Sequence, residues 1–137
     1  MTPFDLKIVT PDGLEYQGKA EEVIVRSTSG DIGILAGHVN CVAPLGMGRA
    51  TFVIDGHKRY AACIGGMLSV VDGKVTLVPT TFEWEDEIDM DRAAKAEERA
   101  RAVLSDKYAV KTDLVAAEAK LKRSLVRQSV ASYLKNR

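Results

Sequence analysis

Apolar and polar residues alternate with a period of two through the first 84 or so residues, then with a helical period to the end of the chain. FDLKIV alternates from Phe4 to Val9, and Pro11-Asp12-Gly13 then turns the chain. EEVIVRS predicts a strand around Val23 to Arg26. Asp55-Gly56 and Asp72-Gly73 each interrupt an apolar run. Asp-Gly suits a two-residue hairpin, whose central residues both need positive φ. Such signals recur roughly every ten residues, the rhythm of a β-sandwich or barrel, and about ten short strands are expected.

Ser29 to Ala50 is dense in glycine, with Gly30, Gly33, Gly37, Gly46 and Gly48. Glycine within strand-like sequence marks bulges and corners, so this stretch is expected to carry the chain from one sheet to the other. After Trp84 the period changes. From Asp89 to about Asp106, Met90, Ala93, Ala96 or Glu97, Ala100 and Val103-Leu104 form a narrow helical stripe. A second stripe starts at Asp113, with Leu114, Ala117, Leu121 and Leu125, and SDKYAVKT links the two. Short-linked helices with narrow stripes predict an antiparallel hairpin. Alanine at the seam lets the backbones approach but buries little area, so the hairpin is expected to be marginal alone and to detach more readily than the sandwich unfolds. The fold class is therefore α+β: an all-β sandwich over residues 1–85, then a two-helix hairpin over 86–137.

Hydrophobic residues make up 46% of the chain, and the formal net charge is zero. A general nucleic-acid binder would be strongly basic. The neutrality is not uniform: after Glu118 come Lys120, Lys122, Arg123, Arg127, Lys135 and Arg137 with no acid following. That segment suits an acidic partner or a phosphate. No apolar run approaches the ~20 residues that span a bilayer, and MTPFDLKIV lacks an export pattern. Retention where the chain is made, or loss of a transit peptide before this numbering, is expected. Cys41 and Cys63 are then expected to be buried free thiols.

No glycine-rich loop precedes Gly-Lys-Ser/Thr, which argues against a Walker-type ATPase. GMGRAT is a fragment of a dinucleotide fingerprint without its flanking elements. His38 with Cys41, and His57 with Cys63, lack the closely spaced pairs of a zinc site. An enzyme built on His38 and Cys41 is the reading from another class; no hydroxyl triad or carboxylate pair supports it, and no catalytic or metal-binding residue is assigned. EDEIDMDRAAKAEERARAVL, from Glu85 to Leu104, is richer. Asp89 suits an N-cap, and Asp91 lies where the helix dipole favours an anion. Arg92 and Arg99 share one helix face, and Arg123 and Arg127 share a face of the second helix. In a closed hairpin those faces can converge, and clustered guanidiniums suit a triphosphate. The alternative is that Arg123 and Arg127 pair with an acidic protein surface.

Three stretches carry a family resemblance over essentially the whole chain. SGDIGILAGHVNCVAPLGMG resembles a Gly-[Asp/Glu]-hydrophobic-Gly-Ile-x-x-Gly-His stretch, and Ile64-Gly65-Gly66-Met67-Leu68-Ser69-Val70 a Gly-Gly-hydrophobic strand. Ile88-Asp89-Met90-Asp91-Arg92-Ala93 resembles the motif Ile/Leu-Asp-x-x-Arg-Ala. All three resemble the epsilon subunit of the F-type ATP synthase. The resemblance implies a non-catalytic central-stalk (rotor) subunit of a complex that couples proton flow to ATP synthesis. It implies a sandwich that contacts the gamma subunit and the c-subunit ring, with Asp31 and His38 as contact residues. It implies a mobile hairpin that reaches the alpha and beta subunits transiently and restrains ATP hydrolysis. It also implies ATP as a regulatory ligand favouring the folded hairpin, held by Ile88, Asp89, Arg92, Ala93, Arg99, Arg123 and Arg127. Ala116 departs from ATP-binding members that carry a basic residue near there. A purely structural rotor subunit without nucleotide sensing is the alternative. The implied location is the cytoplasmic face of a bacterial plasma membrane, with a plastid thylakoid second.

Overall fold

The computed structural model describes residues 1–135. Residues Met1–Glu85 form one compact unit and those from Asp86 onward a second. The first contains ten strands: β1 (Phe4–Thr10), β2 (Gly13–Ala20), β3 (Glu22–Ser27), β4 (Gly30–Ile34), β5 (Cys41–Pro44), β6 (Met47–Ile54), β7 (His57–Ile64), β8 (Met67–Val71), β9 (Lys74–Val78) and β10 (Thr81–Trp84). They make two five-stranded sheets, ordered β2-β1-β9-β8-β5 and β10-β7-β6-β3-β4. Strands β1 and β9 are parallel, and the other pairs antiparallel.

The period-two pattern is the sandwich. Phe4, Leu6 and Ile8 of β1 point inward, as do Val23 and Val25 of β3, Leu68 and Val70 of β8, and Val75 and Leu77 of β9. Each strand presents every second side chain to one face, so a single alternating run supplies one inner face and one outer face. Phe52, Phe82 and Trp84 fill one region of the core edge-to-face, with centroids 4.9 to 6.0 Å apart. The Arg59 guanidinium lies over the Trp84 ring at 3.7 Å, a cation–π contact.

The expected turns are present. Ile54 pairs with His57 across Asp55-Gly56, and Val71 with Lys74 across Asp72-Gly73. Both aspartates take positive φ, 53° and 48°. The glycine-rich stretch moves the chain between sheets as expected: β4 edges one sheet, β5 edges the other, and β6 returns to the first.

On the outer face of the β2-β1-β9-β8-β5 sheet, Pro44, Met67 and Val78 stand side by side in register across β5, β8 and β9. All three are exposed. Val42 shares that face of β5, and Leu35 and Val39 on the crossing loop are also exposed.

A 3-10 turn at Glu85–Glu87 is followed by the helices of the second unit, α1 (Met90–Ser105) and α2 (Lys111–Lys135), which pack together. Helix α2 starts two residues before the expected Asp113. Its seam also differs from the expected leucine stripe. Ala117, Ser124 and Ala131 are buried, Leu114 and Leu121 are half-buried, and Leu125 is exposed. Residues seven apart return to one helix face, and the small side chains at that spacing take the face that the larger Leu125 leaves. Arg137 lies outside the described residues, as does the Lys135 side chain. No helix among the described residues is long and apolar enough to cross a membrane.

The Gly65-Gly66 corner between β7 and β8 is the tightest backbone approach in the sandwich. Gly66 has φ +96°, and a Cβ there would overlap the Val78 carbonyl oxygen and lie 2.6 Å from Pro79 Cα. Gly73 has φ +80° with nothing within 4 Å of its Cβ position. In urea denaturation, Gly73→Ala should cost only the left-handed penalty of about 1–2 kcal/mol. Gly66→Ala should cost about 3 kcal/mol or more, because overlap adds to that penalty. Equal losses at the two sites would mean that the corner relaxes freely.

Candidate functional site: a basic cleft on the helical hairpin

Asp89 is the N-cap of α1. Its backbone is extended, and its carboxylate accepts from the Arg92 backbone N–H at 3.1 Å. Its carbonyl accepts the first helical bond, from the Ala93 N–H at 3.0 Å. Asp91 follows in the first turn, where it complements the helix dipole. Ala93 is buried, Ile88 is half-buried and Arg92 is exposed.

Further along the hairpin a cleft of about 700 Å³ opens, lined by both helices and their link. Arg99 from α1 and Lys120, Arg123 and Arg127 from α2 supply its cations. Val103, Tyr108 and Val110 supply an apolar part, and Asp106 and Asp113 lie near the link. The volume is within the ~300–1,000 Å³ range of small-molecule sites. Guanidiniums converging on one open cavity provide several planar donors to one multiply charged anion.

The expected site residues thus divide. Arg99, Arg123 and Arg127 come together in the cleft, whereas Ile88, Asp89, Arg92 and Ala93 are not among its lining residues. Arg92 shares a helix face with Arg99 but lies seven residues, or ~10 Å of rise, toward the helix start. Ala116 is on the cleft wall. Lys120, part of the basic segment expected to suit a phosphate but not among the expected site residues, joins the arginines, since its spacing to Arg123 and Arg127, three and seven residues, places all three on one face.

Glu97, expected only as a possible member of the helical stripe, makes polar contacts that its spacing does not announce. One carboxylate oxygen accepts from Arg101 Nε at 2.7 Å, and the other from Gln128 Nε2 of the facing helix at 2.9 Å. The Arg101 bond first, and the Gln128 bond second, hold this carboxyl below its usual range.

In the sandwich, Asp31 on β4 faces Arg26 on β3, whose Nε donates to it at 2.8 Å. Both are exposed, so the pair contributes little stability. His38 lies on the crossing loop, its Nδ1 2.8 Å from the Val39 carbonyl oxygen. Cys41 and Cys63 are free thiols; Cys63 is buried as expected, and burial pushes its thiol up to about 12, while Cys41 is only half-buried. A thiol so reluctant to ionise is a poor nucleophile or metal ligand.

Residues 3–85 match the family model described as the ATP synthase, Delta/Epsilon chain, beta-sandwich domain. The ATP synthase epsilon chain of Shouchella clausii is 35% identical over 97% of this chain and 98% of its own length. That of Bacillus cytotoxicus is 41% identical over 96% and 98%. The chain belongs to the ATP synthase epsilon-chain family. Members are non-catalytic subunits of the ATP synthase, and this one is no exception. A chain in the Euglena gracilis mitochondrial ATP synthase, in a structure titled OSCP/F1/c-ring, superposes with a TM-score of 0.82 at 25% identity, covering 94% of this chain and 81% of that one. A chain from the Tetrahymena thermophila enzyme shares the fold, with a TM-score of 0.62 at 11% identity.

The cap role and any ligand role of Asp89 separate experimentally in this epsilon chain. Asp89→Ala should destabilise α1 by about 1 kcal/mol, and Asp89→Asn by much less, because asparagine caps equally well. Thermal melting followed by circular dichroism at 222 nm reads the difference. Equal losses for the two variants would assign Asp89 a charge-dependent role instead.

Proposed function

We propose that this chain is the epsilon subunit of the ATP synthase central stalk, and that its hairpin senses ATP to regulate hydrolysis. In this reading the sandwich docks on the gamma subunit and the c-subunit ring and couples proton translocation to ATP synthesis. The exposed apolar row of Pro44, Met67 and Val78 supports a docking role, because contiguous apolar surface of this kind marks partner sites. Asp31 and His38, at the β4 end and on the crossing loop, are the proposed polar contacts to the ring. The hairpin reaches the alpha and beta subunits when it opens. The complex works at the cytoplasmic face of a bacterial membrane.

The observation that carries the regulatory half is the convergence of Arg99, Lys120, Arg123 and Arg127 on one cleft. The triphosphate of ATP neutralises cations that otherwise repel across the seam, so its binding favours the closed hairpin. A differential affinity of ~1–3 kcal/mol suffices to move such a balance. A rotor subunit without nucleotide sensing is the second reading. It is favoured by the absence of Ile88, Asp89, Arg92 and Ala93 from the cleft lining, and by Ala116 on its wall.

Isothermal titration of the full chain with ATP separates the two. Saturable binding is expected, weakened roughly 10- to 100-fold by Arg123→Ala, since hydrogen bonds to charged groups contribute ~1.5–3 kcal/mol each. No heat with the folded wild-type chain would leave the structural reading. In the assembled enzyme, ending the chain after Glu87 should preserve coupled synthesis and raise ATP hydrolysis. Uncoupling by that truncation would place the hairpin among the structural parts of the rotor.

A further inference from the structure

Most buried residues of the hairpin are small and recur every seven positions, Ala93 and Ala100 on α1 and Ala117, Ser124 and Ala131 on α2, while Val130 is buried beside that repeat. The repeating part of that seam does not define its own register. Sliding one helix by seven residues, ~10.5 Å, sets small residues against small residues again. The link does not prevent it. Because Glu97 faces Gln128, Lys111 stands about nine residues, ~13 Å, past Ser105 along the axes; sliding α2 away from the link brings the two ends nearly level, well within the roughly 20 Å that this stretch spans when extended. Ser124 does not break the degeneracy, because its hydroxyl donates to Leu121 of its own helix at 2.7 Å.

Val130, buried and seven residues from Arg123, opposes a slide through packing, and Glu97 with Gln128 oppose it through a hydrogen bond. That bond crosses between the helices at 2.9 Å, with the carboxylate steadied from its other oxygen by Arg101. No acid or amide occupies the positions seven residues away. Position 90 is methionine and 104 is leucine, while 121 is leucine. A slid hairpin therefore leaves Glu97 and Gln128 without each other. One polar pair in a largely repetitive seam is an established way to specify register. The pair also lies beside the cleft, with Arg99 two residues beyond Glu97 and Arg127 next to Gln128.

We infer that the Glu97–Gln128 hydrogen bond sets the register of the hairpin and thereby positions Arg99 against Arg123 and Arg127 for polyphosphate binding. The positioning half rests on the ATP-sensing reading above; the register half does not. Neither residue lines the cleft, so both act through the arginines.

The test uses the full chain carrying Cys41→Ser, with spin labels at Glu98→Cys and Ser129→Cys, both exposed; buried Cys63 stays in place. Electron–electron distance measurements should give one population with Glu97 and Gln128 present. Gln128→Ala should add a second population in which the labelled positions lie ~14 Å apart across the helices rather than ~8–10 Å, a lengthening of roughly 4–5 Å, with helix content unchanged. ATP and inorganic tripolyphosphate should each bind about 3- to 10-fold more weakly, the effect of losing one hydrogen bond. The exchanged pair, Glu97→Gln with Gln128→Glu, should restore both readouts, which a merely destabilised hairpin would not do. An unchanged distance distribution in Gln128→Ala overturns the register assignment. A changed distribution with unchanged affinity overturns the positioning role. If the parent chain binds neither ATP nor tripolyphosphate, the ATP-sensing reading and the positioning role fall together, and the label distances still decide the register.

Discussion

The period-two alternation of the strands is the constraint from which the rest follows. Two sheets whose inner faces carry Leu6, Ile8, Val23, Val25, Leu68, Val70, Val75 and Leu77 must close on one another, because each buried aliphatic side chain contributes about 1.5–3 kcal/mol only while it stays dry. Closure uses up the inner faces completely. What remains for function is the outer surface and the loops, and the chain places apolar side chains there as well. Pro44, Met67 and Val78 are not an error of patterning, since Leu68 and Leu77 beside them point inward as the pleat demands. An outer row that is apolar on a strand whose inner row is already satisfied is a surface built for contact.

The hairpin obeys the opposite economy. Its buried residues are alanines, a serine and one valine, Val130, which bring the backbones close but remove little apolar area from water. Its surface carries like charges from both helices to one cleft. The same narrowness lets Arg99 stand near Arg123 and Arg127, with Asp106 and Asp113 lining the same cleft. Such an element has few large terms in its free energy, so a single cross-helix hydrogen bond or one bound anion weighs heavily in it. Neither would matter in the sandwich.

Much of this was legible in the sequence because it depends on local chemistry. Asp55-Gly56 and Asp72-Gly73 announce their turns through the backbone angles they tolerate, and Asp89 announces its cap through the orphan donors of the first turn. The number of strands and the crossing of the glycine-rich stretch follow from spacing alone. The seam of α2 was not legible in the same way. Leu125 fits a three-and-four count as well as Ser124 does, and hydrophobicity favours leucine. Only packing against a close alanine-lined helix selects the serine, whose hydroxyl can bond its own backbone and be buried without a partner across the seam. The cleft was half legible. A shared helix face can be counted along one helix, which gives Arg123 with Arg127 and could have given Lys120. Which residues of α1 stand opposite depends on register, and register is what a repeating seam withholds.

That dependence also explains how one motif can divide between two tasks. Asp89 begins the helix whatever the register, because its partners, the Arg92 and Ala93 N–H groups, belong to the same turn. Arg99 has no such independence. Its usefulness to an anion is decided by where α2 lies, some thirty residues along the chain. The resemblance in Ile88 to Ala93 therefore reports on the start of a helix as strongly as on a ligand, whereas a guanidinium set drawn from two helices reports on their mutual placement. The second observation is the more demanding one. Four cations converge on one open cavity at a cost in repulsion, and an anion that binds only the converged arrangement shifts the hairpin by as much as it prefers that arrangement.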